Sequence, residues 1–326
     1  MKVIKFFAIT AMAAAMITSC SNEDELSQSN YPSDNIIRVT AGVNNAKTRA
    51  EGAGTEMKKD FSLTIVNKNA PKYTYTDKVF SKSSGDWACS ETLLWQKSDA
   101  LVDIVAFAPA QTGKFNGVYA NGSIQPIAYS VAKDQTTADD KNDLLYYYAK
   151  DFNPGESLDK GKLNIQFNHA FCMIDINVTL GTEFNKPEVL KESPIVKVTL
   201  GGTKIAANVN VTNAASVVTI SETDAATDIT TTKGSFDKAA DPEANAKSHF
   251  SCIAIPQTVG ANTFKVSLKT AGKLYEWTSD KEITLQSGYR YTLNLTMGDN
   301  VVLLKGGSIT ATPWTEITSD KPLETD

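Results

Sequence analysis

The stretch Tyr-Arg-Tyr-Thr-Leu-Asn-Leu-Thr-Met at positions 289–297 carries the clearest fold signal in the chain. Apolar or aromatic side chains stand at every second position, and the residues between them are polar. This two-residue period is typical of a β-strand with one buried face, whereas an amphipathic helix would place its apolar residues three and four positions apart. The stretch therefore predicts a long, half-buried strand.

The same alternation recurs along most of the chain. It is visible at 37–43, 61–65, 163–167, 174–180, 196–200 and 205–211, with shorter candidates at 217–220, 253–255, 264–268, 274–277 and 283–285. Residues 101–107 are apolar on nearly both faces, which is typical of a central strand. Because no long amphipathic helix interrupts these short strands, the sequence predicts an all-β protein built from two β-sandwiches.

The length of 326 residues agrees with two domains of about 150 residues each. A turn-rich segment, 181–194, interrupts the strand pattern and marks the predicted boundary. We therefore predict an N-terminal sandwich at 36–182 and a C-terminal sandwich at 183–326. Residues 221–247, rich in Thr, Ala and Asp, are predicted to be a long loop.

The first 19 residues predict a signal peptide. Lys2 and Lys5 supply a positive start, and the apolar run that follows, 6–17, is short. A membrane-spanning helix needs about 20 apolar residues, so this run is typical of a secretory signal instead.

A cysteine follows this signal directly. Ser19 precedes Cys20, so we expect signal peptidase to cut between them and Cys20 to carry the lipid. An ordinary secretory signal with an incidental cysteine is the alternative. Residues 20–35 are polar and predict a disordered acidic tether, and the acidic run at 23–25 resembles the surface-export signal of Bacteroidota lipoproteins. The expected location is the cell surface, at the outer membrane.

Composition argues against several classes of function. The net charge of −5 is modest and no basic patch appears, so a nucleic-acid partner is not expected. His169 and His249, the two histidines of the chain, have no Cys or His at ligand spacing, and no phosphate-binding or nucleophile motif is present. We predict no cofactor, no metal and no enzymatic activity.

The remaining cysteines form no recognisable framework. With Cys20 assigned to the lipid, Cys89, Cys172 and Cys252 are an odd number with irregular spacing. One disulfide would be compatible with an oxidising compartment, but buried free thiols are the expected state.

Arginine usage is unusual, with three arginines against 29 lysines. Arg49 and Ala50 lie in a run of small, flexible residues, 47–54. Such a composition predicts an exposed loop, and proteolysis concentrates in exposed loops. An ordinary turn between two strands is the alternative.

Taken in order, these features resemble the fimbrillin family, the type V pilins of Bacteroidales. The resemblance covers essentially the whole chain and begins with the lipidation signal and the Thr48-Arg49-Ala50 segment. It continues through Leu93-Leu94-Trp95, 102–109, 143–146, 165–170, Gly288-Tyr289-Arg290-Tyr291 and 309–314.

The resemblance implies a fold and an assembly mechanism. Such pilins are two transthyretin-like β-sandwich domains in tandem, exported as lipoproteins and cut by an arginine-specific protease. Here the cut would fall between Arg49 and Ala50. It would remove the outer-membrane lipid anchor and the strand within 36–49 that carries Ile37, Val39, Ala41 and Val43.

The vacated groove would accept an extended segment of another pilin subunit, which is strand addition at a sheet edge. The implied function is that of a structural subunit of a type V-like pilus, or fimbria, that contributes to cell adhesion. Its partners would be other pilin subunits, in a homo- or hetero-polymer, and the protease.

Two alternatives stay open. The segment that carries Val302, Leu304, Ile309 and Ala311 is either a donor strand for another subunit or the last strand of the second sandwich. The chain is alternatively a lipid-anchored monomer that binds a glycan or a host ligand. In that case the tryptophans would form a stacking platform, and otherwise they would pack in the cores. The four tryptophans are Trp87, Trp95, Trp277 and Trp314.

Overall fold

The computed structural model describes residues 30–44, 55–83, 85–110, 118–186, 188–298 and 305–314. Over these residues the chain is almost entirely β-structure, so the prediction of an all-β protein is confirmed. The helical segments are single turns: the α-helix Pro154–Ser157 and the 3₁₀ helices Pro71–Tyr73, Asp140–Asn142 and Thr182–Asn185. None of the helices in these described ranges has the length and hydropathy needed to cross a bilayer.

Strands are numbered β1–β24 in chain order, and the largest sheet contains eight of them. Their spatial order is β2 (Thr55–Glu56), β1 (Val39–Val43), β11 (Leu163–His169), β10 (Leu145–Phe152), β6 (Val102–Ala108), β3 (Phe61–Val66), β4 (Tyr75–Ser83) and β5 (Asp86–Cys89). β1 and β5 lie near opposite ends of this order, yet they contact each other. The sheet therefore curls around its own inner face.

The remaining strands form smaller sheets. A five-stranded sheet has the order β17 (Thr232–Asp237), β18 (Lys247–Ala254), β12 (Cys172–Leu180), β23 (Tyr289–Met297) and β24 (Lys305–Pro313). A four-stranded sheet has the order β16 (Ile229–Thr230), β13 (Ile195–Gly201), β20 (Lys265–Thr270) and β21 (Leu274–Thr278).

Three further groups are shorter. The three-stranded sheet contains β15 (Val218–Thr219), β14 (Ala206–Val209) and β9 (Ile127–Ser130). The two-stranded pairs are β19 (Thr258–Val259) with β22 (Ile283–Thr284), and β7 (Tyr119–Ala120) with β8 (Ser123–Ile124).

Buried side chains form two apolar clusters, and β6 lies between them. Ile104 and Ala106 belong to the cluster inside the eight-stranded sheet, which we call the first core. Val105 and Phe107 belong to the larger cluster formed mainly by the second half of the chain, which we call the second core. Every residue of β6 is buried, because each face of the strand meets a different core. This explains why its sequence is apolar at nearly every position.

An aromatic group organises the first core. The Phe61 ring is fully buried, and its centroid lies 5.4 Å from that of Phe80, 4.9 Å from that of Trp87 and 5.4 Å from that of Phe167. Phe167 lies on β11, so the aromatic group packs side chains of β3 and β4 against side chains of β5 and β11, which lie nearer the edges of the sheet. Buried aromatic side chains contribute a large apolar area each, and their rings stabilise one another at these separations.

The predicted boundary between 182 and 183 does not coincide with the division between the cores. β12 lies before this boundary, yet it pairs with β18 on one side and with β23 on the other. β9 likewise pairs with β14. Alternation shows that a strand has a buried face but not which core receives that face, so the division into domains at 182 and 183 stays a prediction. The description as two transthyretin-like domains in tandem stays a prediction.

The predicted loop at 221–247 is wrong in part, because it contains β16 and β17. β16 pairs with β13, and β17 forms the edge of the five-stranded sheet beside β18. Most β17 side chains are exposed or half-buried. A strand with so little buried area has no apolar period, so its sequence resembles a loop.

Replacing Phe61 with alanine is expected to lower the free energy of unfolding by about 3–5 kcal/mol, because the change leaves a cavity among three aromatic rings. Urea denaturation followed by circular dichroism measures this loss. Val79→Ala on β4 is the matched control. Its side chain is 44% exposed, and we expect a change below about 1 kcal/mol. Equal losses in the two variants would contradict the central role of Phe61.

Candidate functional site

The candidate site is the position of β1 within the eight-stranded sheet. β1 runs parallel to β11, with Val39 opposite Leu163 and Val43 opposite Phe167. Its other edge pairs antiparallel with the two residues of β2. Residues 45–54 connect β1 to β2 along the chain and lie outside the described residues. β1 therefore occupies a slot one strand wide, and residues 45–54 are its covalent link to β2 and to the rest of the chain.

Main-chain hydrogen bonds extend the pairing beyond both ends of β1. The Leu163 N–H donates to the Arg38 carbonyl over 2.8 Å, and the Asn44 N–H donates to the Phe167 carbonyl over 2.8 Å. The Asn44 side-chain amide also donates to the Oδ1 of Asn168 over 2.9 Å. The ladder with β11 therefore spans seven residues of the segment, 38–44.

The side chains of this segment close the first core. Ile37, Val39 and Val43 are buried, with 6%, 4% and 1% of their surface exposed, and all three belong to the first core. Ala41 is half-buried and packs against the same cluster. The four residues predicted from alternation therefore face the same core. Their displacement by proteolysis stays a prediction.

The segment before β1 is also held in place. The Ile37 N–H donates to the Leu93 carbonyl over 2.9 Å. Arg38 Nη1 donates to an Asp34 carboxylate oxygen over 3.0 Å, and this hydrogen bond lowers the pKa of Asp34 to about 2. Both side chains are more than two-fifths exposed, so the pair orients the segment and adds little stability.

The structure describes two of the three arginines. Arg38 adjoins β1 and has its carbonyl in the ladder. Arg290 lies within β23, and its Nε donates to Asp175 of β12. The other predicted processing residues, Ser19, Cys20, Arg49 and Ala50, lie outside the described residues.

The segment proposed as a donor pairs within its own chain. β24 is the edge strand beside β23, with Ile309 opposite Leu293 and Ala311 opposite Tyr291. This arrangement agrees with the alternative that the segment is the last strand of the second sandwich. Val302 and Leu304 lie outside the described residues. A donor role toward another subunit stays a prediction.

Three of the four tryptophans pack against the cores, and Trp314 stacks on His169. Trp95 and Trp314 are buried, with 2% and 6% of their surface exposed. Trp87 and Trp277 are half-buried and contact Phe61 and Phe264 respectively. Core packing was the expected alternative to a stacking platform, and Trp87, Trp95 and Trp277 follow it.

The three described cysteines, Cys89, Cys172 and Cys252, are free thiols. Cys172 and Cys252 are buried in the second core, whereas Cys89 is half-buried at the edge of the first core. Burial raises the pKa of Cys172 and of Cys252 far above the usual value for a thiol. Since the thiolate is the nucleophile, these two residues are chemically inert in the folded chain.

A buried polar contact at the end of β11 was not predicted from the sequence. The His169 ring stacks on the Trp314 ring, with centroids 3.8 Å apart and an interplanar angle of 11°. Nδ1 of His169 lies 2.8 Å from Oδ1 of Asp143, and Nζ of Lys59 lies 3.6 Å from the other oxygen of that carboxylate. The sequence contained no signal for these partners, which are far apart in the chain.

Comparisons with known proteins agree on one family. The sequence profile described as Fimbrillin-like matches residues 48–314, which is well over half of the chain. No curated protein matches the sequence.

Several solved structures have the same fold. A protein of proposed cell-adhesion function from Bacteroides ovatus is 16% identical, with a TM-score of 0.61, and the match covers 86% of this chain and 98% of that one. A fimbrial protein from Bacteroides vulgatus is 16% identical, with a TM-score of 0.53 and coverage of 85% and 99%. The tip fimbrial protein Mfa3 from Porphyromonas gingivalis is 9% identical, with a TM-score of 0.51 and coverage of 86% and 99%. These similarities concern the fold, whereas the profile match identifies the chain as a member of the Fimbrillin-like family.

Proposed function

We propose that this protein is a structural subunit of a type V-like pilus at the cell surface, where it contributes to adhesion. It is exported as a lipoprotein on Cys20, cut between Arg49 and Ala50, and assembled by β-strand exchange with other subunits. The observation that carries this proposal is the slot of β1 between β11 and β2, together with the position of Arg49 in the connection from β1 to β2. Membership of the Fimbrillin-like family supports the same function.

A cut in this connection would convert β1 from a covalent part of the fold into a bound peptide. The lipid on Cys20 would leave with it, since both lie on the N-terminal side of Arg49. Loss of β1 would expose the unpaired main-chain edges of β11 and β2. Such edges are templates for strand addition and are prone to aggregation when empty, so release and refilling should be coupled.

The energetic gain from refilling the slot is large enough to drive assembly. Three fully buried apolar side chains at about 1.5–3 kcal/mol each correspond to roughly 4.5–9 kcal/mol before the cost of ordering the incoming strand. Main-chain hydrogen bonds add a net contribution of about 1 kcal/mol each. An incoming segment would therefore need apolar residues at the positions of Ile37, Val39 and Val43.

The alternative function is that of a lipid-anchored monomer that binds a glycan or a host ligand. Packing of Trp87, Trp95 and Trp277 against the cores counts against a broad aromatic platform. This alternative predicts that cleavage after Arg49 has no effect on the oligomeric state.

We expect an arginine-specific protease to cut the lipid-free precursor once, after Arg49, and the product to form ladders of SDS-resistant oligomers. Arg38 and Arg290 should resist the protease, because their main chains are bonded within β-structure. Mass spectrometry gives the new N-terminus at Ala50, and SDS-PAGE reveals the ladder.

Arg49→Lys is the matched control, since it keeps the charge but removes the protease specificity. It should stay uncut and monomeric. A precursor that is cut at Arg49 and remains monomeric would contradict assembly by a single self-sufficient subunit and would require a separate donor. Ladders that form equally well from the uncut variant would contradict coupling to cleavage.

A synthetic peptide of residues 36–44 should suppress ladder formation when it is added to the precursor during cleavage, because it competes for the slot of β1. A peptide that carries both Val39→Asp and Val43→Asp should bind at least about 100-fold more weakly, since it loses two buried apolar side chains. Fluorescence anisotropy of the labelled peptides measures the affinities. Equal suppression by both peptides would argue against filling of this slot.

Replacing Cys20 with alanine should abolish incorporation of an alkyne-tagged palmitate in cells that express the full precursor, because the thiol is the predicted attachment site. In-gel fluorescence after coupling to a dye detects the label. Cys89→Ala is the control and should retain the label. Labelling that persists in the Cys20 variant would refute the lipoprotein assignment.

A further inference from the structure

A cleft of about 430 Å³ lies on the outer face of the five-stranded sheet, where the two halves of the molecule meet. Its floor contains Ile253, Met173 and Arg290, which are neighbours on β18, β12 and β23. Met173 alternates with the core-facing residues Cys172 and Ile174, so its side chain points away from the second core.

The walls of the cleft come from other parts of the chain. Lys59 and Trp314 form one side, and Asp139, Asn142 and Asp143 contribute polar groups from the segment before β10. The lining therefore combines apolar surface with both donors and acceptors of hydrogen bonds. A volume of this size is within the usual range of about 300–1,000 Å³ for sites that bind small molecules.

Arg290 is the best-placed cation in this cleft. Its Nε is bonded to Asp175, which fixes the orientation of the guanidinium. The structure records no hydrogen bond from its two terminal nitrogens to any described residue, and its side chain is 27% exposed. A guanidinium held in this way presents two parallel N–H donors, the geometry that matches a carboxylate.

The other charges limit the ligand to a single negative charge, because Asp175 already pairs with Arg290 and the lining also holds the carboxylate of Asp139. The charge of Asp143 is balanced by Lys59 at 3.6 Å, and the other carboxylate oxygen of Asp143 contacts Nδ1 of His169. Asp139 adds a further carboxylate to the lining, which would repel a doubly charged phosphate but would accept hydrogen bonds from hydroxyls. Met173, Ile253 and Trp314 provide apolar surface for the non-polar face of a ring.

We propose that this cleft binds the acidic sugar at the end of a glycan, with the sugar carboxylate on Arg290. A hydroxyl group of the sugar donates to the carboxylate of Asp139. This binding activity is independent of strand exchange, and it would give an assembled subunit a direct contact with carboxylated glycans on another surface.

The test uses the uncut, lipid-free chain and isothermal titration calorimetry. The probes are the methyl glycosides of N-acetylneuraminic acid and of glucuronic acid, with methyl glucoside as the neutral comparison. We expect saturable binding of at least one acidic sugar with a Kd below about 1 mM and no binding of the neutral sugar. Failure of both acidic sugars to bind, or equal binding of methyl glucoside, would overturn the proposal.

Two variants test the site itself. Arg290→Lys keeps the charge but loses the forked donors, so affinity for the acidic sugar should fall at least about tenfold. Met173→Trp fills the floor of the cleft without removing Arg290 or Asp175, and it should abolish binding. Arg38→Lys is the matched control, because Arg38 also pairs with an aspartate but lies away from the cleft.

Thermal unfolding of each variant separates loss of the site from loss of the fold. If Arg290→Lys proves unstable, Met173→Trp decides the question. Unchanged affinity in Met173→Trp would place the sugar elsewhere and would overturn the proposal. Because the chain is uncut in all these measurements, the result does not depend on cleavage after Arg49.

Discussion

The pairing of β1 with β11 is the interaction on which the rest of the first core depends. β1 fills the position between β11 and β2, and its buried side chains complete the apolar interior of a sheet that curls on itself. Each main-chain hydrogen bond in the ladder contributes little by itself, whereas burial of Val39 and Val43 makes the strand a structural component. A strand of five residues can therefore be essential to the core and yet be joined to β2 and the strands that follow only through residues 45–54.

β11 links this edge to the second core. Its last residue, His169, stacks on Trp314, and the next two residues, Ala170 and Phe171, are fully buried in the second core before β12 begins. The strand that holds β1 is therefore anchored at its far end by packing against the end of β24. β1 and Trp314, which lie near opposite ends of the described chain, therefore both contact β11.

The described arginines are fixed in different ways. Arg38 is oriented by an exposed ion pair, and its own carbonyl accepts a hydrogen bond in the ladder. Arg290 is oriented by a partly buried ion pair within the five-stranded sheet. Proteolysis requires a main chain that can be extracted into the active site of the protease, so backbone bonding protects both positions. The same pairing through Nε gives Arg290 a fixed orientation at the floor of the cleft.

The sequence by itself determined the class of the fold and, in the strands whose apolar residues alternate, which residues are buried. The stretch 289–297 is β23, and 174–180 lies in β12, whose side chains alternate between buried and half-buried. The buried positions of β1 were predicted in the same way. These features follow from local geometry, because successive side chains of a strand point to opposite faces whatever the strand pairs with.

Only the tertiary structure decided which strands pair and which core each face enters. It assigned β12 to the second core, placed β6 between two cores, and revealed the strands β16 and β17 in a polar segment. It also brought His169 to Trp314 and Arg290 to Asp175, across more than 100 residues in each case. Such contacts depend on the packing of whole sheets, and the spacing of residues along the chain contains no information about them.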